Sequence, residues 1–263
     1  MNRLVAILVS VIVCASCVRG TPLNPILPAG VSPTPLQQPD YVGIGRYQEL
    51  GAVTARPPFG GVPFVTFTEV HLPGGATQPN RDVPGFIYAY QGHVVLSREG
   101  GDGVRQQVID QGVAKWVDAT TSDYVNGTDS EQFWYFVALR SITQRGAPAP
   151  YEKFRSLYES TDLAQLPAEK PIVFQLGYIT MDVGGRTSAH SHGGSESFYV
   201  LKGTVALATS DGKRVNLSSG QGASVKPGVI MQMRVVGDQP VQILTLFVTP
   251  EGAPWQTNVQ TLP

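Results

Sequence analysis

The sequence predicts an all-β chain built as two tandem jelly-roll-like β-barrels joined by a short connecting helix. Three observations predict it. The 263 residues include 29 Gly and 21 Pro, a density of turn formers that favours many short strands over long helices. The segment from Gly203 to Gly220 alternates apolar and polar residues around Asp211-Gly212, a strong hairpin signal. The third observation is an internal repeat. Gly74-Gly75 stands to Gly184-Gly185 as Gly92 stands to Gly203, and the FIYAYQG ending at Gly92 parallels the FYVLKG ending at Gly203, so two copies lie about 110 residues apart. Each copy closes as a barrel of short antiparallel strands.

Composition narrows the partners. The formal net charge is −1 and no basic or acidic run occurs, so the chain has no electrostatic footprint for nucleic acid or an anionic membrane surface. Residues 1–20 have the layout of an export signal. Arg3 precedes an apolar run from Leu4 to Val13, too short to span a bilayer, and small residues follow. Ala15-Ser16-Cys17 resembles a bacterial lipoprotein cleavage site, which would make Cys17 a lipidated first residue and the only membrane contact. The other reading is an ordinary cut near Gly20 and a freely secreted protein. Both place the chain outside the cytoplasm. Cys14 and Cys17 are the only cysteines, so the exported part is expected to fold without an internal disulfide.

Residues 21–40 carry six prolines and read as an extended tether. The first barrel is expected over 41–148, with a strand or two on its outside before Pro58. Phe133 to Ile142, a continuous apolar run, is its closing buried strand. Residues 149–170 form a connection in which Tyr151, Phe154, Leu157 and Tyr158 fall at helical spacing, and here the helix is expected. The second barrel takes 171–263, and its tail from Thr249, with Trp255, is irregular and suited to lie over a barrel mouth. Asn126 and Asn216 fit the N-glycosylation pattern, a short pattern that recurs by chance.

The chemistry concentrates between Gly184 and Gly203. His190 and His192 are two apart on an extended segment, so both side chains point to one face. Glu196 follows Gly193 and Gly194, which let the backbone bend and return a carboxylate to the same centre. Two imidazoles and one carboxylate form a facial triad that suits a redox-active divalent metal with open positions. In the first copy the matching positions are Pro79, Arg81 and Gly85, with Asp123 at the distant fourth place, and no ion is expected there. His71 and His93 are left without a role.

Gly184, His190, His192, Glu196 and Gly203 match the first motif of the cupin superfamily without departure. The chain resembles two-domain cupins, in particular the flavonol-cleaving dioxygenases of the quercetin 2,3-dioxygenase kind. A second cupin motif is met by Gly220, Pro227 and Gly228, with Met231 where the family has a fourth, histidine ligand. The resemblance implies one mononuclear site on His190, His192 and Glu196, holding Fe, Mn, Cu or Ni, with Met231, Gln232 or water in the fourth place. It further implies an oxygenase-like reaction on a small organic molecule, with Glu196 either staying a ligand or taking a proton from the substrate. A non-catalytic cupin that binds a small molecule such as a sugar is the reading of a different class.

Overall fold

A computed structural model describes residues 34–35, 45–57, 60–79, 83–100, 103–118, 123–126, 128–146, 154–166, 170–260 and 262. The export signal, nearly all of the tether, Arg81 and Tyr151 lie outside the described residues.

Strands account for the regular structure. The first half runs β1 (Thr34–Pro35), β2 (Gly45–Ala55), β3 (Pro63–Leu72), β4 (Thr77–Pro79), β5 (Gly85–Gln91), β6 (Val94–Gly100), β7 (Gly103–Ile109), β8 (Ala114–Val117), β9 (Asp123–Val125), β10 (Gln132–Ser141) and β11 (Phe154–Glu159). The second runs β12 (Ile172–Met181), β13 (Ala189–Ser191), β14 (Ser195–Lys202), β15 (Thr204–Thr209), β16 (Arg214–Ser218), β17 (Gly222–Val225), β18 (Met231–Val235), β19 (Val241–Pro250) and β20 (Thr257–Val259). Among the described residues the only helical element is a single 3-10 turn, Ile142–Gln144.

Four antiparallel sheets pair into two barrels. The first barrel joins the sheet β11-β3-β10-β5-β8 to the sheet β4-β9-β6-β7, and the second joins β1-β2-β12-β19-β14-β17 to β16-β15-β18-β13-β20. The repeat reappears as geometry. The ten-residue pair β3 and β10 has the same full register as the ten-residue pair β12 and β19.

Side-chain alternation distributes the core. On β10, Trp134, Phe136 and Ala138 turn into the first barrel with Ile87 and Val94, filling its interior with apolar atoms. On β12, Ile179 and Met181 turn into the second barrel with Phe198, Leu207, Met233 and Ile243. The alternate residues Phe174, Leu176 and Tyr178 face outward and meet Phe67, Phe86 and Val137 of the first barrel. Each such fully buried side chain stabilises the fold by about 2 kcal/mol. The central strands are therefore apolar on both faces, which is why Phe133 to Ile142 reads as a continuous run.

Two segments depart from the sequence reading. Instead of a helix, the connection contains strand β11, which pairs with β3 with a register shift between Ser156 and Tyr158. An isolated helix of that length has too few hydrogen bonds to offset its nucleation, whereas the edge of β3 offers a ready row of partners. The second departure is β2, placed by sequence on the outside of the first barrel. It pairs along its length with β12, in the sheet of the second barrel. The second barrel thus takes β2 from chain that precedes the first barrel, and the first barrel takes β11 from the connection that follows its own strands. The glycosylation pattern at Asn126 is occluded as well. That side chain is fully buried and its amide donates to Leu72 O and Ser130 O.

Candidate metal centre

β13 and the start of β14 bring the three candidate ligands together inside the second barrel. His190, His192 and Glu196 are all buried, and one donor atom from each lies within 4.8 Å of the others. Gly194 makes the bend possible. A Cβ there would stand 2.3 Å from Val248 O and 2.4 Å from Thr249 Cα, so only glycine lets the chain pass this close to β19 between the histidines and the carboxylate.

Hydrogen bonds orient each ligand. His190 Nδ1 donates to Ser188 O at 2.8 Å, and His192 Nδ1 donates to the carbonyl of Trp255. A carbonyl can only accept, so both Nδ1 atoms carry the proton. In the neutral rings Nε2 is then a lone pair, the arrangement by which metal-binding histidines are held. Glu196 is fixed in the same way: Thr245 Oγ1 donates to its Oε1 at 2.8 Å. The remaining atoms face each other, with His192 Nε2 3.4 Å from Glu196 Oε2.

These two atoms, His192 Nε2 and Glu196 Oε2, are buried and have no hydrogen-bond partner. Buried polar atoms are almost always satisfied, so the pair points to a group that completes it. Two imidazole nitrogens and a carboxylate oxygen fit a divalent transition metal.

His190 and Glu196 are held in their ligating forms, whereas His192 beside the Glu196 carboxylate is pushed toward its charged form, so an ion must displace that proton. Burial, helped by the neighbouring His192, holds the His190 imidazole below its ordinary value, so it is neutral and able to ligate near neutral pH. Burial pushes the Glu196 carboxyl up, but the neighbouring His192, then His190 and the Thr245 hydroxyl, outweigh it and leave the carboxyl low. For His192 burial acts downward, and Glu196 together with the Trp255 carbonyl reverses it.

The chamber around the ligands is small and apolar. It has a volume of about 20 Å³ and is lined by Ile179, Met231, Met233, Phe247, Trp255 and Tyr47 among others. That is room for roughly one water-sized species. Met231 is fully buried and pairs directly with His190. Gln232 points the other way, and its amide donates to Thr187 O at 3.0 Å. Of the two side chains considered for the fourth position, only Met231 lines the chamber.

The tail does close the mouth. Trp255 packs at 5.8 Å from the His192 ring and 5.1 Å from Tyr47, and Gly193 N donates to Pro254 O at 2.9 Å. Its last described strand, β20, is added to the edge of β13. Nothing in the sequence marks Tyr47 as part of the site. It arrives on the exchanged strand β2, beside Gly177, where a Cβ would stand 2.3 Å from the tyrosine ring. Thr245 also escapes the sequence reading, although a polar residue in the middle of apolar VQILTLFV is a signal that could have found it.

Among the described residues the first barrel has no counterpart. Pro79 pairs with Asp123 as His190 pairs with Met231, so the two sets of positions correspond. Gly85 pairs with Ala138 on β10 where Glu196 pairs with Phe247 on β19. A Cβ at Gly85 would meet Val137 O at 2.6 Å, so no side chain fits where the carboxylate would stand. Among the described residues only the second barrel holds a group of side chains that could bind a metal ion. His71 instead contacts Glu69 at 2.6 Å in a network with Arg155.

Comparison with known proteins agrees with this architecture. Residues 177–247 match the Cupin domain family. No curated protein matches the sequence. Among solved structures, the oxalate decarboxylase of Lactobacillus farciminis in its formate complex is similar over 91% of this chain and 90% of its own, at 13% identity and a TM-score of 0.54. A Bacillus subtilis oxalate decarboxylase described with Mn(II) centres is similar over 81% of this chain and 79% of its own, at 13% identity and a TM-score of 0.52. With a Cupin domain in the second barrel and a two-barrel likeness along most of its length, the chain is a two-domain protein of cupin fold.

Proposed function

We propose that the second barrel holds one divalent transition-metal ion on His190, His192 and Glu196, and that the protein is an exported, oxygenase-like enzyme acting on a small neutral organic molecule. The observation that carries this reading is that His192 Nε2 and Glu196 Oε2 lie buried 3.4 Å apart with no hydrogen-bond partner. When bound, such an ion supplies a Lewis acid with positions open to substrate or dioxygen.

The chain's own residues do the rest. Ser188 O and Trp255 O hold the imidazoles in the ligating tautomer, and Thr245 keeps Glu196 turned so that Oε2 faces the chamber. That oxygen serves as a ligand or accepts a proton from a substrate hydroxyl. Burial pushes the Tyr47 hydroxyl far up, so it stays protonated and forms a neutral wall. Trp255 Nε1 is a buried donor without a partner among the described residues, available to a substrate oxygen. Phe247 and Trp255 exclude water. Since the chamber has room for about one water-sized species, an organic substrate reaches the ion only when the Trp255 tail moves off the mouth.

Substrate charge follows from the lining. Among the described residues no lysine or arginine lines the chamber, so a dianion would meet largely apolar, uncharged walls with only the ion to balance it. The structural neighbours named for oxalate decarboxylation, one of them described with Mn(II) centres, support the metal more than that substrate.

Metal analysis of the purified mature protein tests the centre, and about one transition-metal ion per chain is expected. A content near zero after reloading, or near two, would overturn a single site in the second barrel. Dioxygen uptake with a panel of small phenols and diketones then separates turnover from the non-catalytic binding module, which would bind a panel member without consuming oxygen. For export, mass spectrometry of the N-terminus from the native host should show cleavage before Cys17 with lipidation, or just beyond it. An intact Met1 would refute both forms.

A further inference from the structure

The second barrel carries another concavity on its outer face, across strand β18 from the metal chamber. Met231 and Met233 line the chamber, and the alternate residues Gln232 and Arg234 line this outer groove. Register arranges the groove in rows. Gln232, Ala208 and Arg214 lie side by side across β18, β15 and β16, and Arg234, Ala206 and Asn216 form the next row. The two alanines make a low apolar floor between polar walls. Arg186 joins the wall by bridging to Arg234 through the backbone.

The groove has a volume of about 460 Å³, within the range of roughly 300 to 1,000 Å³ typical of small-molecule sites. Arg214 and Arg234 line it and, among the described residues, no aspartate or glutamate does, although the whole chain has a net charge of −1. Like charges gathered in one concavity repel, and a bound anion reverses that energy. Arg214 is already held in place, since its Nη1 donates to Thr209 O at 2.6 Å and Lys213 O at 2.9 Å. The Arg214 and Arg234 strands stand two sheet spacings apart, about 10 Å, so a ligand with anionic groups at both ends would meet a guanidinium at each.

We propose that this outer groove binds a small organic polyanion, with two or more carboxylate or phosphate groups clamped by Arg214 and Arg234 and an apolar body resting on Ala206 and Ala208. Arginine forks match both kinds of oxyanion, so the source is a polycarboxylate or a phosphate ester.

Titration calorimetry of the metal-loaded protein with citrate and with inorganic pyrophosphate, at low and at physiological ionic strength, tests it. Saturable binding of at least one probe is expected, weakening with salt. Binding of citrate alone identifies a polycarboxylate ligand, and binding of pyrophosphate alone a phosphate-bearing one. Arg214→Gln and Arg234→Gln should each weaken binding about tenfold, the scale of one exposed charge-assisted hydrogen bond. Arg234→Lys, which keeps the charge and loses the fork, should fall between. Metal content should stay unchanged in all three, which separates this site from the centre next door. Absence of saturable binding by both probes, or equal binding by wild type and both glutamine variants, overturns the proposal. So does retention of a long acidic polysaccharide by a protein that binds neither small probe.

Discussion

Replacing His192 with Ala is expected to weaken metal binding by at least about 100-fold, because even partners outside the ligand set are worth about 10- to 100-fold in affinity. The site has no reserve. His190 and Glu196 would remain as two ligands, Met231 offers only a thioether, and the other polar residues of the lining, Thr187, Gln256 and Tyr47, are neutral and weak ligands for such an ion. The change acts on the ion more than on the fold. The interior of the second barrel rests on Phe198, Val205, Leu207 and Ile243, while Phe247, 4.8 Å from the His192 ring, gives up that contact. Without His192 the buried Glu196 loses its main charge partner and takes up a proton, which limits the cost of burying it. Metal content after chelation and reloading, measured beside the far-ultraviolet spectrum, checks both statements. A His192→Ala protein that is folded and retains the wild-type metal content would end the metal-centre reading and leave a cupin scaffold used for binding alone.

The same residues show what a sequence of this kind discloses. His190, His192 and Glu196 are legible because strand alternation and a pair of glycines are local, and local geometry is written in consecutive residues. The repeat is legible because the same strand and turn pattern occurs twice, and Gly85 can be matched to Glu196 from it. Parity alone places Met231 toward the interior, and the structure has it fully buried against His190. What is not legible depends on distant pairing. Whether Phe154 to Glu159 becomes helix or strand is decided by the free edge of β3, more than eighty residues earlier in the chain at Glu69 and Arg155. The exchange of β2 into the second sheet is decided by β12. The partners that orient the ligands are a threonine hydroxyl 49 residues from Glu196 and a backbone carbonyl 63 residues from His192. A carbonyl leaves no mark in a sequence, since every residue has one.

Met231→His is expected to act in the opposite direction to loss of His192, tightening the metal by at least about tenfold, or about 1.4 kcal/mol. The position is suited to a ligand in every respect but its chemistry. Its side chain is fully buried, lines the same chamber as the three ligands, and stands on β18 directly across from His190. Methionine supplies a soft thioether there, which favours copper over the harder manganese, whereas an imidazole suits iron, copper, nickel and zinc alike. The substitution should therefore change selectivity as well as affinity, narrowing the advantage of copper over the other divalent ions. Packing permits it, because an imidazole occupies a volume near that of the side chain it replaces and exchanges of similar volume cost under about 1.5 kcal/mol in a core. Competition with a chelator of known strength, run for two or more metals on wild type and variant, measures the effect. Equal affinities in the two proteins, with the variant folded, would mean that the residue on β18 does not reach the ion. The open side of the centre would then have to lie toward Trp255 and Phe247, and the fourth ligand would have to come from solvent or substrate.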